Sequence, residues 1–168
     1  RPSWKDEDLF TIKYTLADEK PATFIRVAIK ARIDYRGSGT PTLFITEDKL
    51  TDLLLMTDAT GRDIYDSEQK LATKLRVSQI ITVPVMENAG VRIDTKTGKA
   101  YKLHGLIVNL GDYNVGADKG GEVNLFDDFD IDYNKQTYLI ETRCSGALTR
   151  PYSAIALETE TTPPAETE

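Results

Sequence analysis

The chain has 168 residues, 40% of them hydrophobic and 29% charged, with a formal net charge of −6 at pH 7. This length and apolar content suffice for one hydrophobic core, so a single domain, alone or with an appended strand, is expected. The negative balance, with basic residues scattered among acids, argues against a non-specific nucleic-acid coat. The single cysteine, Cys144, excludes an internal disulfide, and the single histidine, His104, leaves no cluster for zinc.

No apolar run approaches the roughly 20 residues that a membrane helix needs, so no membrane partner is expected. The chain begins at Arg1 without a charged and then apolar leader, which predicts neither a signal peptide nor a native start. No internal repeat of fixed period occurs.

The first predicted elements are a strand at Asp8–Leu16 and a helix that follows it. Asp18 is a candidate N-cap, Pro21 suits the first helical turn, and Gly37 is a natural stop. The residues expected to form the apolar stripe of this helix are Phe24, Ile25, Val27, Ala28, Ile29, Ala31, Ile33 and Tyr35.

A second strand is predicted at Thr42–Ile45, with Thr46 as the cap of a second helix that ends before Gly61. Asp66 or Ser67 is expected to cap a short third helix. The residues predicted to face inward from these two helices are Leu50, Leu53, Leu54, Met56, Leu71, Ala72 and Leu75.

Strands follow for the remainder of the chain. Gln79–Met86 is predicted as a strand, Glu87–Lys102 as a protruding hairpin with glycine turns, and Leu103–Leu110 as a central strand. The order β, α, β, α, α and then several strands predicts an α+β layered domain.

The most distinctive stretch is acidic and aromatic. In a strand, Asp128, Asp130 and Asp132 would line one face, and Phe129, Ile131 and Tyr133 would line the other. With Asp127 these acids repel one another, which favours a basic partner surface. The spacing also begins a calcium loop, but Tyr133 and Leu139 stand where that loop needs Gly and Glu, so an exposed strand face or an intersubunit pairing surface is preferred.

The last predicted strands are Thr137–Arg143 and Ser153–Leu157, separated by a bend or bulge at Gly146 and by Arg150-Pro151. From Thr159 onward the sequence holds acids, threonines and prolines without an apolar anchor, which predicts a disordered tail.

Several of these motifs occur in the order found in one family. Glu141-Thr142-Arg143 forms an E-x-R motif, followed by the small-apolar run Ser145–Leu148, an Arg150-Pro151 turn and a last strand. Leu43–Tyr65 provides a strand, a capped helix and a D-x-x-G-R-x-(I/L)-Y turn, and Val83-Pro84-Val85 follows. This pattern, over about two thirds of the chain, resembles the C-terminal part of tailed-bacteriophage major capsid proteins.

The resemblance implies an α+β, Hong Kong 97-like fold with a mixed sheet flanked by helices. It places an axial domain at residues 17–126, peripheral-domain strands at 1–16 and 127–158, and the disordered tail at 159–168. It implies a structural, non-enzymatic subunit of an icosahedral shell, located in the virion and, during assembly, in the host cytoplasm. The partners would be further copies in pentamers and hexamers, scaffold or portal proteins, and packaged DNA through non-specific contacts, without a cofactor.

The resemblance also implies site residues. The expected subunit-interface residues are Asp127, Asp128, Asp130, Asp132, Glu141, Arg143 and Arg150. In some relatives an Asn nine residues before the arginine of the E-x-R motif forms an isopeptide bond with a neighbour's lysine, assisted by the motif's Glu. Asn134 and Glu141 match those positions, but the loop that carries the donor lysine is absent from this chain. Pairing of Glu141 with an arginine is the structural alternative.

Two other functions remain as alternatives. An encapsulin-like nanocompartment shell would share the fold. A small hydrolase would need a convergent polar site, for which Cys144 and His104 are the candidate nucleophile and base, although a small buried thiol and a strand histidine are the default interpretation. Gly116–Gly121 lacks the Lys and Ser/Thr that a phosphate loop requires after its last glycine, and is predicted to be a turn.

Overall fold

The computed structural model describes residues 9–87, 91–94, 97–117, 124–141 and 144–162, with the backbone alone at residues 87, 124, 130 and 141. Two short 3-10 segments lie at Pro84–Glu87 and Leu110–Asp112. The other elements are β1 (Thr11–Leu16), α1 (Pro21–Ala31), β2 (Thr42–Ile45), α2 (Glu47–Leu54), α3 (Glu68–Leu75), β3 (Ile80–Thr82), β4 (Arg92–Ile93), β5 (Ala100–Val108), β6 (Tyr113–Ala117), β7 (Asn124–Asp130), β8 (Lys135–Glu141), β9 (Cys144–Leu148) and β10 (Ala154–Thr161).

The chain divides into two compact units. Unit 1 contains the residues up to Asp112 and those from Arg150 onward, and unit 2 is Tyr113–Thr149. The sheet of unit 1 has six strands among the described residues, in the order β1-β10-β5-β2-β3, with β4 paired to β5. The pairs β1–β10 and β2–β3 are parallel and the others antiparallel, which gives the mixed sheet of the predicted α+β class.

The unit boundaries differ from the predicted domain boundaries. The two ends of the chain, assigned from the sequence to a different domain from the central region, pair with each other as β1 and β10. β10 also pairs with the central strand β5, so both ends belong to the main sheet. The division between the compact units falls at Asp112 and Tyr113, and the assignment of residues to axial and peripheral domains remains a prediction.

The core of unit 1 lies between one face of this sheet and helices α1, α2 and α3. In β2, Leu43 and Ile45 are fully buried, and Thr42 and Phe44 are only partly buried, as the two-residue period of a strand predicts. The apolar residues of the core cluster include Phe24, Ala28, Leu43, Ile45, Leu50, Leu53, Leu71, Leu75, Ile107, Ile155 and Leu157. Helices and sheet therefore share one core, as the composition predicts.

Helix α1 follows the predicted pattern in its body but not at its ends. Ile33, predicted to widen the apolar stripe, is 72% exposed because the helix ends at Ala31. Asp18 is not the cap: Lys20 occupies the N-cap, and its backbone N–H donates to Asp18 Oδ1 at 3.2 Å. Pro21 opens the helix as predicted.

The predicted cap of α2 is confirmed, since Thr46 Oγ1 accepts a hydrogen bond from the backbone N–H of Lys49 at 3.3 Å. Leu54, expected to face inward, is only partly buried. Ser67 occupies the N-cap of α3 without a side-chain cap bond. The turn between these helices has Gly61 at φ +78°, a left-handed conformation that favours glycine.

Two predicted strand boundaries are wrong. The strand expected at Gln79–Met86 ends at Thr82, because Pro84 has no N–H to donate to a ladder and starts a 3-10 segment. The last strand does not end at Leu157 but continues through Thr161, so the residues predicted to begin a disordered tail are paired. Thr159 is 5% exposed. Residues 163–168 lie outside the described part of the chain.

A hairpin within the predicted range Glu87–Lys102 is confirmed in the described residues, because Arg92 pairs with Tyr101 and Ile93 with Ala100. An ion pair ties this hairpin to β10. The Arg92 guanidinium donates to both carboxylate oxygens of Glu158, from Nε at 3.2 Å and from Nη2 at 2.7 Å. The Glu158 side chain is 7% exposed and that of Arg92 is 36% exposed. The buried carboxylate is thus neutralised by a residue 66 positions away.

We expect Arg92→Ala to lower the free energy of unfolding by about 2–3 kcal/mol, because it leaves the buried Glu158 carboxylate without its partner. Lys99→Ala is the matched control on the same hairpin. It removes the Lys99–Glu160 pair, in which both side chains are about half exposed, and should cost much less because solvent screens such a pair. Urea denaturation of the two variants measures the difference, and equal losses would contradict the distinction.

Candidate assembly surface

Unit 2 consists of two separate two-stranded ladders in its described residues, β6 with β9 and β7 with β8. In the β7–β8 hairpin, Asn124 pairs with Glu141 and Asp130 with Lys135, and residues 131–134 form the turn. Directly opposite residues of an antiparallel pair share a face. One face therefore carries Leu125, Asp127, Phe129, Gln136, Tyr138 and Ile140, and the other carries Phe126, Asp128, Asp130, Lys135, Thr137 and Leu139.

The predicted alternation of acids and apolar residues is confirmed for part of the acidic stretch. Asp128 and Asp130 lie on one face of β7, and Phe129 lies on the other. The strand ends at Asp130, however, so Ile131, Asp132 and Tyr133 lie in the turn and not in a continued strand. The acids are divided between two faces and a turn.

Large apolar side chains are exposed on both faces of the hairpin and in its turn. Ile131 is 81% exposed and Phe129 is 50% exposed. A single two-stranded hairpin is marginally stable in water, and it gains stability by packing an apolar face against something else. The exposed members of this group are Leu125, Phe126, Phe129, Ile131, Tyr133, Tyr138, Leu139 and Ile140. Such a concentration of exposed apolar residues is typical of a protein–protein interface.

The second ladder is also exposed. Tyr113 of β6 lies against Gly146 of β9, where a Cβ atom would collide with the tyrosine ring. The ladder is regular from Tyr113–Leu148 to Ala117–Cys144, so Gly146 provides room for the ring and not the predicted bulge. Val115 on β6 is 66% exposed.

The predicted interface residues occupy different environments. Asp127 and Asp128 are exposed on β7, and Asp132 is exposed in the turn. The side chains of Asp130 and Glu141, and all of Arg143, lie outside what the structure describes. The interface role of all seven predicted residues remains a prediction.

Arg150 makes a contact within the chain that the sequence did not reveal. Its Nε lies 3.4 Å from Oδ1 of Asp112, whose side chain is 3% exposed. Asp112 also accepts hydrogen bonds from the Ser38 backbone N–H at 2.6 Å and hydroxyl at 2.7 Å. Burial raises the pKa of Asp112, but these hydrogen bonds and the Arg150 charge outweigh it, so the net pKa is lowered. This ion pair joins the points where the chain leaves unit 1 and returns to it.

The two residues matched to the isopeptide chemistry lie at opposite ends of β8. Asn134 is exposed at the end of the turn with φ +48°, and Glu141 is the last residue of the strand. Six steps of extended chain separate Lys135 from Glu141, which is roughly 20 Å. A Glu141 that assisted reaction at Asn134 would therefore have to come from another copy.

His104 and Cys144, the catalytic pair considered from the sequence, lie in different units of the chain. Cys144 is exposed on β9 in unit 2, which corrects the expectation of a buried thiol. His104 is a buried strand residue, as expected, and its Nε2 lies 2.6 Å from Thr159 Oγ1 and 3.4 Å from Glu19 Oε1. A hydrolytic triad needs the carboxylate on the other ring nitrogen from the hydroxyl, whereas here both approach the same one.

The polar environment of His104 is nonetheless specific. The buried Lys49 donates from Nζ to the carbonyl oxygen of Glu19 at 2.6 Å. Burial lowers the pKa of His104, the charge of Glu19 opposes this, and the charges of Lys49 and Lys102 lower it further. His104 is therefore mainly neutral at pH 7.

This shift predicts a pH dependence of stability. Above the ordinary histidine pKa of about 6.5, His104 is neutral in both states, and the native state is at full stability. As the pH falls below 6.5, the unfolded chain takes up the proton first, so stability declines until the pH has passed the lower native pKa. We expect the free energy of unfolding, measured in urea, to fall between pH 7 and 5.5, and His104→Gln to remove this decline. A profile that stays flat, or that rises on acidification, would contradict the pKa shift.

Among the described residues, no group of three or more His, Cys, Asp or Glu side chains is arranged to hold a metal ion. Within the same residues, no helix is long and apolar enough to cross a membrane.

Comparison with solved structures relates this fold to viral particles. A virus-like particle protein from Pyrococcus furiosus superimposes with a TM-score of 0.54 at 15% identity, over 90% of this chain and 56% of that one. The capsid protein of an empty GTA particle gives 0.52 at 12% identity, over 91% and 50%. A phage-related protein from Bordetella bronchiseptica gives 0.54 at 12% identity, over 89% and 55%.

The chain spans about half the length of these structures. At such low identity the likeness is one of fold. No protein-family model matches the chain, and no curated protein matches its sequence. The predicted α+β class and the predicted similarity to capsid proteins are thus confirmed at the level of fold.

Proposed function

We propose that this chain is part of the subunit of an icosahedral phage or prophage capsid with the Hong Kong 97-like fold, and that many copies enclose a DNA genome. Two observations support it. The fold is like that of capsid and virus-like particle proteins over about nine tenths of the chain. Unit 2 exposes a dense group of apolar residues, and none of its described residues belongs to the core cluster.

The exposed hairpin carries most weight, because it distinguishes a shell subunit from a self-sufficient globular protein. A hairpin with Phe129 and Ile131 exposed has little to stabilise it in an isolated chain. In a shell the same residues would be covered by neighbouring copies, and the buried area would drive assembly. The role is therefore mechanical and not catalytic.

The proposal assigns unit 1 to the axial domain and unit 2 to strands of the peripheral domain. β1 and β10, which pair in the main sheet, then belong to the axial domain. The partners would be further copies in pentamers and hexamers, together with scaffold and portal proteins, and DNA would meet the inner surface through non-specific contacts. The protein would reside in the virion after assembly in the host cytoplasm.

An encapsulin-like nanocompartment shell is the second candidate, because the similar virus-like particle protein from Pyrococcus furiosus is compatible with it. The two functions differ in cargo. Nucleic acid protected from nuclease inside purified particles would identify the phage head, and an enclosed enzyme without nucleic acid would identify the nanocompartment.

Electron microscopy of the complete gene product that contains this chain tests the proposal. We expect closed icosahedral particles from the unaltered protein. Phe129→Asp should abolish them, because a carboxylate would be placed in an apolar contact. Leu55→Asp is the matched control, since Leu55 is 69% exposed but lies in unit 1 beside the C-terminal end of α2. Absence of particles from the unaltered protein, or equal yields from both variants, would contradict the role of the hairpin.

A further inference from the structure

A groove of about 480 Å³ opens between α1 and α3 in unit 1. Ile29, Ile64 and Tyr65 form its apolar part, and Ile64 is 45% exposed. Its polar lining comes from Lys70, Thr73, Lys74 and Arg76. No acidic side chain is among the described residues that line it, so the groove presents an apolar floor beside a positive edge.

Most of the positive charge at this groove is not neutralised by a carboxylate of the described residues. Lys70 pairs with Asp66 at 2.5 Å, but Lys74 and Arg76 make no ion pair with any described residue. A cation without a carboxylate partner at the edge of an apolar surface favours an incoming carboxylate, which can accept charge-assisted hydrogen bonds from it.

We propose that this groove receives the β7–β8 hairpin tip of a second copy of the chain. The tip carries four acids, Asp127, Asp128, Asp130 and Asp132, against one cation, Lys135. The exposed side chains of Phe126, Phe129, Ile131 and Tyr133 accompany these acids. Acids and aromatic residues on one short hairpin complement a groove with an apolar floor and a positive edge.

The groove and the β7–β8 hairpin are both exposed in the single chain, so each is available to the other surface on a second copy. The inference rests on the proposed function, in which copies of this chain contact one another. A hairpin seated in a groove is a heterologous contact, since the two partners use different surfaces. Such contacts close into rings when the rotation allows it, and rings are the building units of an icosahedral shell. Nucleic acid would match the positive edge but would leave the apolar floor unused.

Disulfide trapping tests the contact directly. One preparation of the 168-residue chain carries Lys74→Cys, another carries Asp128→Cys, and both carry Cys144→Ser. A disulfide forms only where the two Cα atoms approach within about 7 Å. With oxidised glutathione we expect the mixed dimer to form at least roughly tenfold faster than in a control pair of Thr51→Cys and Asp128→Cys, because docking raises the effective concentration. Thr51 is exposed on α2, away from the groove. Equal rates would overturn the proposal.

Charge exchange provides a second test. Its outcome depends on contact between two copies and not on a structural role of these residues within one chain. Lys74→Glu and Asp128→Lys should each weaken self-association roughly tenfold in sedimentation velocity, because each brings like charges together. The double variant should return to within about threefold of the unaltered chain, since the pair is restored with opposite polarity. An unchanged urea midpoint confirms that each variant is folded. Absence of rescue, or a loss of nucleic-acid binding in Lys74→Glu with self-association unchanged, would overturn the proposal.

The two proposals fail in distinguishable ways. If the complete gene product forms closed particles but trapping and charge exchange give the negative results, the docking of the hairpin in this groove is wrong and the shell function stands. If the unaltered protein forms no particles and the chain stays monomeric at every concentration, the shell function and the docking both fail.

Discussion

The burial of β10 is the constraint on which the rest of the structure depends. This strand lies between the first strand, β1, and the central strand, β5, and Ala154–Thr159 are all buried. The sheet is therefore incomplete until nearly the last described residue is in place. Everything between Asp112 and Arg150 must leave the sheet and return to it, and the Asp112–Arg150 ion pair fixes the two crossing points near each other.

This topology accounts for the contrast between the two units. Unit 1 closes its own core, because Ile107, Ile155 and Leu157 pack with helices α1, α2 and α3 in one cluster. Unit 2 lies between the two segments of unit 1 in the sequence, and none of its described residues belongs to that core cluster. Its exposed apolar residues are available for contacts with other proteins, as the proposed shell function requires.

Local sequence signals predicted the elements that depend on local physics. Thr42–Ile45 and the Thr46 cap were predicted correctly, because alternation and capping involve residues within a few positions. The end of β10 was not predicted correctly. The predicted strand ended at Leu157 and the predicted tail began at Thr159, but Glu158 and Thr159 are buried and hydrogen-bond to Arg92 and His104, which lie 66 and 55 positions away. Such partners cannot be recognised in a single sequence.

The candidate surface was predicted only in part, for a related reason. The acidic stretch was identified, but the turn after Asp130 ends the alternation, and the exposure of apolar residues on both hairpin faces does not follow from alternation. The groove between α1 and α3 was not predicted, because Ile29, Ile64 and Lys74 are brought together by packing and not by spacing.

Hydrogen–deuterium exchange on the dispersed chain and on assembled particles tests most directly whether the β7–β8 hairpin is stabilised by other copies. In the dispersed chain we expect the hairpin amides to exchange nearly as fast as in an unfolded peptide, whereas those of β5 and β10 should be strongly protected by the core. In particles the hairpin amides should slow by roughly 100-fold or more, as their strands become buried between subunits. Hairpin amides that are already protected in the dispersed chain, or that exchange equally fast in both states, would contradict a role for this hairpin in assembly.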